Sequence, residues 1–234
     1  INETQRQDVN DMWQYVVDGM IPAGNPNAGA LKFKDLNGYL RDDSGNIVMV
    51  NGKPAYSGSP DGMIDEADMI YKGNSTPIPF SLNNSFEFGK FDVNVYFYGM
   101  FNNWQNNSTY TMFAGNLQNV ALYGENTLKS LANRWSYDNL NSSIPSIFAH
   151  VESTAAQRNG YYLEKAWFLR CDNVSLGYTF KTKKSNKYFS SLRVYAAARN
   201  LFVITPYSGS DPETDSQAAY PNSRTYTFGI DITF

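Results

Sequence analysis

The chain has 234 residues, 42% hydrophobic and 18% charged, with a formal net charge of −3. That balance excludes a nucleic-acid binder, which needs a clustered basic face against phosphates. A single cysteine, Cys171, and a single histidine, His150, exclude an internal disulfide and a Cys-based or multi-His metal site, and they argue against the usual catalytic triads. No run of about 18 apolar residues is present, so no membrane-spanning helix is expected.

In chain order, the opening "INETQRQDVN" is polar, has no initiator Met and shows no signal peptide, which suggests part of a longer chain. A first strand is expected over 12–21. After a long connection, "IPFSLNNSFEFGK" reads as a strand over 78–89 that ends on Phe86 and Phe88. Gly89-Lys90 then makes a tight hairpin into a strand over 91–101. In that strand Phe91, Val93, Val95 and Phe97 alternate with Asp92, Asn94, Tyr96 and Tyr98, the period-two signal of a two-faced strand.

Helical spacing is confined to "GNLQNVALYGENTLKSLANRW". There Leu117, Val120, Leu128, Leu131 and Trp135 share a face that Gly124 interrupts, so one or two short helices are expected. Strands follow over 163–180, with Val174, Leu176, Tyr178 and Phe180 on one face, over 190–205, and over 223–234. The basic "KTKKSNK", Lys181–Lys187, reads as a solvated turn. The tail alternates Tyr226, Phe228, Ile230, Ile232 and Phe234 against Thr227, Gly229, Asp231 and Thr233.

The connections are unequal in a regular way. Gly89-Lys90 and 181–188 are short, whereas 22–77 and 100–162 are long and 206–223 is intermediate. Long loops between every second strand, with short turns on the other side, are the signature of an outer-membrane β-barrel. The 17 Tyr and 15 Phe fit its interfacial girdles. The alternative is a soluble extracellular β-sandwich acting as a carbohydrate-binding module, which also has one apolar face per strand. Loop asymmetry and the apolar tail favour the barrel.

Four stretches carry a family resemblance. "NLFVITPYSGSDPE" (Asn200–Glu213) and "YLEKAWFLRCDNVSLGYTF", at Arg170, Asn173, Leu176, Gly177 and Tyr178, resemble segments of the SusC/RagA-family TonB-dependent outer-membrane transporters. "KFKDLNG" with "DGMIDEADMIYKGNSTPIPF", and "NRWSYDNLNSSIPS", are similar to others in the same order. The resemblance implies the all-β, antiparallel C-terminal segment of a transmembrane β-barrel: about six strands of a barrel of about 22, spanning 1–234, with plug and earlier strands absent. Six strands leave open edges that lipid does not tolerate, so the remaining strands are expected elsewhere. The resemblance further implies TonB-energised import of oligosaccharides, or alternatively peptides, beside a SusD-like surface lipoprotein, and no enzyme activity. With the last strand running to the periplasm, strand parity puts every long loop outside the cell and every short turn inside.

Two clusters are candidate sites. Asp61, Asp65 and Asp68, with the Met63 carbonyl, have part of a Ca²⁺-loop spacing. Asp35 and Asn37 are the other part, contiguous in the resembled family but here separated by Tyr39–Pro60. Ca²⁺ is therefore the one cofactor raised; the alternative is a set of Asx turns and solvated acids. "MFNNWQNNSTYTMF" offers Asn102, Asn103, Trp104 and Tyr110 for stacking on and hydrogen bonding to a sugar, against the alternative of an aromatic girdle and polar loop. Asp211 and Glu213 match the family pattern, yet an Asp-Pro pair also starts ordinary turns. The acidic pairs Asp42/Asp43 and Asp65/Glu66 read as solvated loop, not as a catalytic dyad.

Overall fold

The computed structural model describes residues 11–107, 110, 128–146, 160–181, 189–214 and 222–234. It divides into two units: Ile1–Thr76 with Asn106–Glu164 and Asp215–Gln217, and Pro77–Gln105 with Lys165–Thr214 and Ala218–Phe234.

In the first unit, β1 (Asp11–Gln14), β2 (Val17–Met20), β3 (Leu31–Phe33), β4 (Met49–Val50), β5 (Lys53–Pro54) and β6 (Ile70–Asn74) form three two-stranded antiparallel pieces, β1–β6, β2–β3 and β4–β5. The expected strand over 12–21 is thus broken at Tyr15-Val16, and its halves pair with different partners. The reason is burial: Tyr15 is 3% exposed and packs on Met69, with Trp13 and Phe33 against them, so this segment serves a local core. Among the described residues of this unit are two short 3-10 segments, Glu66–Asp68 and Lys129–Asn133. Lys129–Asn133 lies where a helix was expected; the part of that stretch before Leu128 falls outside the described residues, as does His150.

The second unit holds the long strands. β7 (Ile78–Phe88) and β8 (Phe91–Phe101) form a hairpin through Gly89-Lys90, where Gly89 adopts φ +65, a left-handed conformation that suits glycine. β9 (Trp104–Asn106) and β10 (Leu163–Lys165) are short strands where the chain passes from one unit to the other. β11 (Phe168–Lys181), β12 (Ser191–Ile204) and β13 (Thr225–Thr233) complete a five-stranded antiparallel meander in the order β7-β8-β11-β12-β13. Five strands, not six, therefore share this sheet.

The register shows why the sheet is two-faced. Ile230 pairs with Val194, Val194 with Tyr178, and Tyr178 with Phe91, while Phe86 pairs with Val93 and Val93 with Leu176. Extended along the strands, this face carries Tyr226, Phe228, Ile230, Ile232, Leu82 and Phe88, and it remains open: Phe228 is 82% exposed and Phe88 85%. The opposite face carries Ser81, Asn83, Asp92, Asn94, Ser175, Arg193 and Asp231. A large uncovered apolar face on a soluble sheet would be an aggregation liability; on a transmembrane strand it is required.

Candidate functional site

The polar face carries two charged constellations. In the first, Arg170 of β11 is 2% exposed. Its Nη2 donates to Asp211 Oδ1 at 2.8 Å, Nη1 donates to Asn200 Oδ1, and Nε lies 2.7 Å from Glu213 Oε2, close enough for an ion pair though not aligned as a hydrogen bond. Tyr98 donates its hydroxyl proton to Glu213 at 2.9 Å. Breaking a buried ion pair by removing one partner costs about 3–5 kcal/mol, because the other charge is left without water.

Arg170 reaches this face only through a bulge. Counting alternately from Val174 would put it on the apolar side. An extra residue near Asp172 shifts the register between Cys171 and Asn173, so that Arg170 pairs with Tyr98 instead. Asn200 tolerates φ +50 at the corresponding place on β12, as Asn does more readily than most residues.

In the second constellation, Arg193 of β12 grips Asp92 of β8 with two nitrogens, at 2.9 and 2.6 Å, and Asp231 of β13 with the third at 2.9 Å. Its reach across β11 passes over Gly177, where a Cβ would lie 2.4 Å from Asp92 Oδ1. The guanidinium also sits 4.8 Å from the centre of the Tyr195 ring.

Beside Arg170 is a polar cavity of about 520 Å³, lined by Tyr96, Tyr98, Asp172, Arg199, Asn200 and Asn222 among others. Tyr96 and Tyr98 stack with centroids 6.0 Å apart, and Arg199 is 3.9 Å from Asp172. These side chains present a cation, an anion, amides and ring faces, a set that suits polar, uncharged or zwitterionic ligands.

The first unit carries a separate, apolar-lined hollow of about 620 Å³ between Val17, Met20, Pro22, Trp135, Leu140 and Tyr161. Trp135, as a packing residue, is 4% exposed and closes over Gly29. Tyr161 donates to the Ser143 carbonyl at 2.7 Å. Burial holds both neighbouring phenols above their ordinary range, Tyr162 to about 12, so they stay neutral.

The structure brings the acidic residues together, but their oxygens face backbone donors. Asp68, fully buried, accepts from Leu36 N at 2.6 Å, Asn37 N at 3.0 Å and Asp65 N at 2.9 Å. Asp35 accepts from Asp61 N and Gly62 N, Asp61 from Met63 N, Asp65 from Ala67 N, and Asn37 Oδ1 from Gly58 N. Burial raises the Asp65 pKa above the usual carboxylate value. Among the described residues no three acidic, His or Cys side chains are arranged to share a metal ion. The residues expected to touch substrate are divided between the units, Asn102, Asn103 and Trp104 in the second and Tyr110 in the first. Asn103 Nδ2 donates to the Ala166 carbonyl, Trp104 packs under Lys165, Asn102 is exposed in a left-handed turn, and Tyr110 joins Tyr161 and Tyr162 in the first unit.

The chain is similar to known receptors. It is 29% identical over 194 residues to the TonB-dependent receptor SusC of Bacteroides thetaiotaomicron, covering 79% of this chain and 18% of that receptor. It is 25% identical over 190 residues to TonB-dependent receptor P3 of Formosa agariphila, covering 74% and 18%. The fold matches the RagAB peptide transporter with TM-score 0.62 over 96% of this chain and 23% of that one, at 24% identity. It also matches the RagAB peptide importer in its 'open-open' state, with TM-score 0.61 over 97% and 24%, at 21% identity. The chain is thus similar to a segment of the SusC/RagA type of TonB-dependent receptors. It spans about a fifth of the length of the curated relatives it matches. No family model matches. SusC/RagA-type receptors act in outer-membrane transport and are not enzymes, and the five-stranded sheet corresponds to a segment of their barrel.

The residues missed in the sequence are Arg170, Asn200 and Arg193. Arg170 and Asn200 stood in the family-like stretches, but neither their convergence on Asp211 and Glu213 nor the span of Arg193 is visible without the register.

Proposed function

We propose that this segment forms part of the wall and the extracellular loops of an outer-membrane importer of oligosaccharides, energised through TonB. The carrying observation is the sheet with one continuous apolar face and one face of ion pairs, amides and phenols, in a chain similar to SusC over most of its length. The apolar face meets lipid and the polar face lines the interior. The long connections lie outside the cell under a SusD-like lipoprotein, with the short turns in the periplasm. The remaining strands, the plug and the TonB contact belong to other parts of the receptor.

Peptide import is the second reading, supported by the fold likeness to the RagAB peptide transporter. Calorimetry on the intact receptor with its lipoprotein separates them. Oligosaccharides of increasing length are expected to give saturable heats and peptide mixtures none. Heats from peptides alone overturn the glycan reading.

A further inference from the structure

We infer that the described stretches after β12, 205–214 and 222–224, are the two arms of a fixed strap latched to the polar face of the sheet by Arg170, which holds the outgoing arm directly and the returning arm through Asn200. The outgoing arm, 205–214, is seated first by Thr205, whose Oγ1 donates to the Trp167 carbonyl at 2.8 Å and accepts from Tyr207 N. Asp211, 4% exposed, then takes Arg170 Nη2 and, at 3.0 Å, the backbone N–H of Glu213. Glu213 is held between Arg170 Nε and the Tyr98 hydroxyl. On the returning arm, Asn200 Nδ2 donates to the carbonyls of Asn222 and Ser223, while its Oδ1 receives Arg170 Nη1. Each nitrogen of the guanidinium thus faces a different fastening.

Such a group is stable only as a set. Two carboxylates around one cation leave a surplus negative charge, which Tyr98 and the Glu213 and Asn222 amides offset by hydrogen bonding. Removing the cation strands two poorly hydrated carboxylates on the outgoing arm. The polar cavity depends on the same latch, because Arg170, Asn222 and Ser223 form part of its wall. The latch therefore fixes part of the cavity's wall, whichever substrate is carried.

Hydrogen–deuterium exchange on the intact receptor tests this, with Phe91–Val95 of β8 as the internal control. Protected amides are expected at 207–214 and 222–225 in the unaltered protein. Arg170→Met should raise their exchange on the order of 100-fold with the control unchanged. Adding Asp211→Asn and Glu213→Gln to that variant should restore part of the protection, since the stranded charges are gone. The milder pair Tyr98→Phe with Glu213→Gln should raise strap exchange about 10-fold, and it decides the matter if Arg170→Met fails to assemble. The latch is overturned if the strap exchanges at free-loop rates in the unaltered protein. It is equally overturned if the variants leave the strap unchanged, or loosen β8 as much as the strap.

Discussion

Two glycines on adjacent strands separate kinds of crowding. A Cβ on Gly99 would lie 2.1 Å from the Phe168 carbonyl oxygen, a backbone atom that cannot move without disturbing the β8–β11 ladder. A Cβ on Gly177 would meet only side-chain atoms, Asp92 Oδ1 and Arg193 Nε, which can yield by loosening their ion pair. Gly177→Ala is expected to cost about 1–3 kcal/mol and Gly99→Ala more, read as the ranking of unfolding temperatures in detergent; the reverse order contradicts the account. In the first unit, Asp42 accepts from the backbone of Asn46 and Ser44, at 2.9 Å each, and the Asn46 N–H does most to hold its pKa below 3.8. The lowered pKa means that this support is whole above the ordinary carboxylate value and is lost as pH falls through the depressed one. Amide temperature coefficients of Ser44 and Asn46 should thus stay low at pH 5 and rise toward pH 2; flat values across that range would rule it out.

At the scale of the element, β13 gives the cleanest test of sidedness. Ile230 and Thr227 are three residues apart and on opposite faces, Ile230 opposite Val194 and Thr227 opposite Ala197. A lysine on a lipid-facing barrel position costs about 2–4 kcal/mol near the bilayer midplane, while interior positions tolerate charge. Ile230→Lys should therefore reduce the folded fraction of receptor in lipid vesicles, seen as lost heat-modifiable gel mobility, and Thr227→Lys should leave it near that of the unaltered protein. Equal tolerance at both positions would mean that the apolar face does not meet lipid. The β11 bulge acts at this scale too: one added residue exchanges the faces for everything before it, and so delivers Arg170 to the polar side.

At the scale of the whole molecule, the chain spans about a fifth of the length of the receptors it matches, and its sheet is proposed to be part of a closed barrel. In the five-stranded sheet, β7 and β13 each pair on one side only, and unpaired backbone donors and acceptors in lipid are costly. The proposed transport belongs to this scale, since an interior lined by the polar faces would exist only in a closed barrel. Discrimination of oligosaccharide from peptide by calorimetry is accordingly a measurement on the intact receptor with the proposed lipoprotein.

Period-two alternation predicted strands over 78–89, 91–101, 163–180, 190–205 and 223–234, and the sheet has strands at 78–88, 91–101, 168–181, 191–204 and 225–233 with the expected apolar faces, because that signal repeats locally along the chain. The segment over 12–21 misled for the same reason. Its apolar residues look like strand residues, but Tyr15 is spent on a local core with Met69, which only tertiary contact decides. The candidate sites show the same division. Acidic spacing raised Asp35, Asp61, Asp65 and Asp68 as a cluster, but the groups that their oxygens face depend on the path of the chain between them. The Arg170 latch spans 41 residues to Asp211 and needs two strand registers and a bulge to form. Sequence by itself determined which residues form an apolar face and which a polar one; tertiary structure alone decided which charges meet, since pairing depends on register and on a single inserted residue.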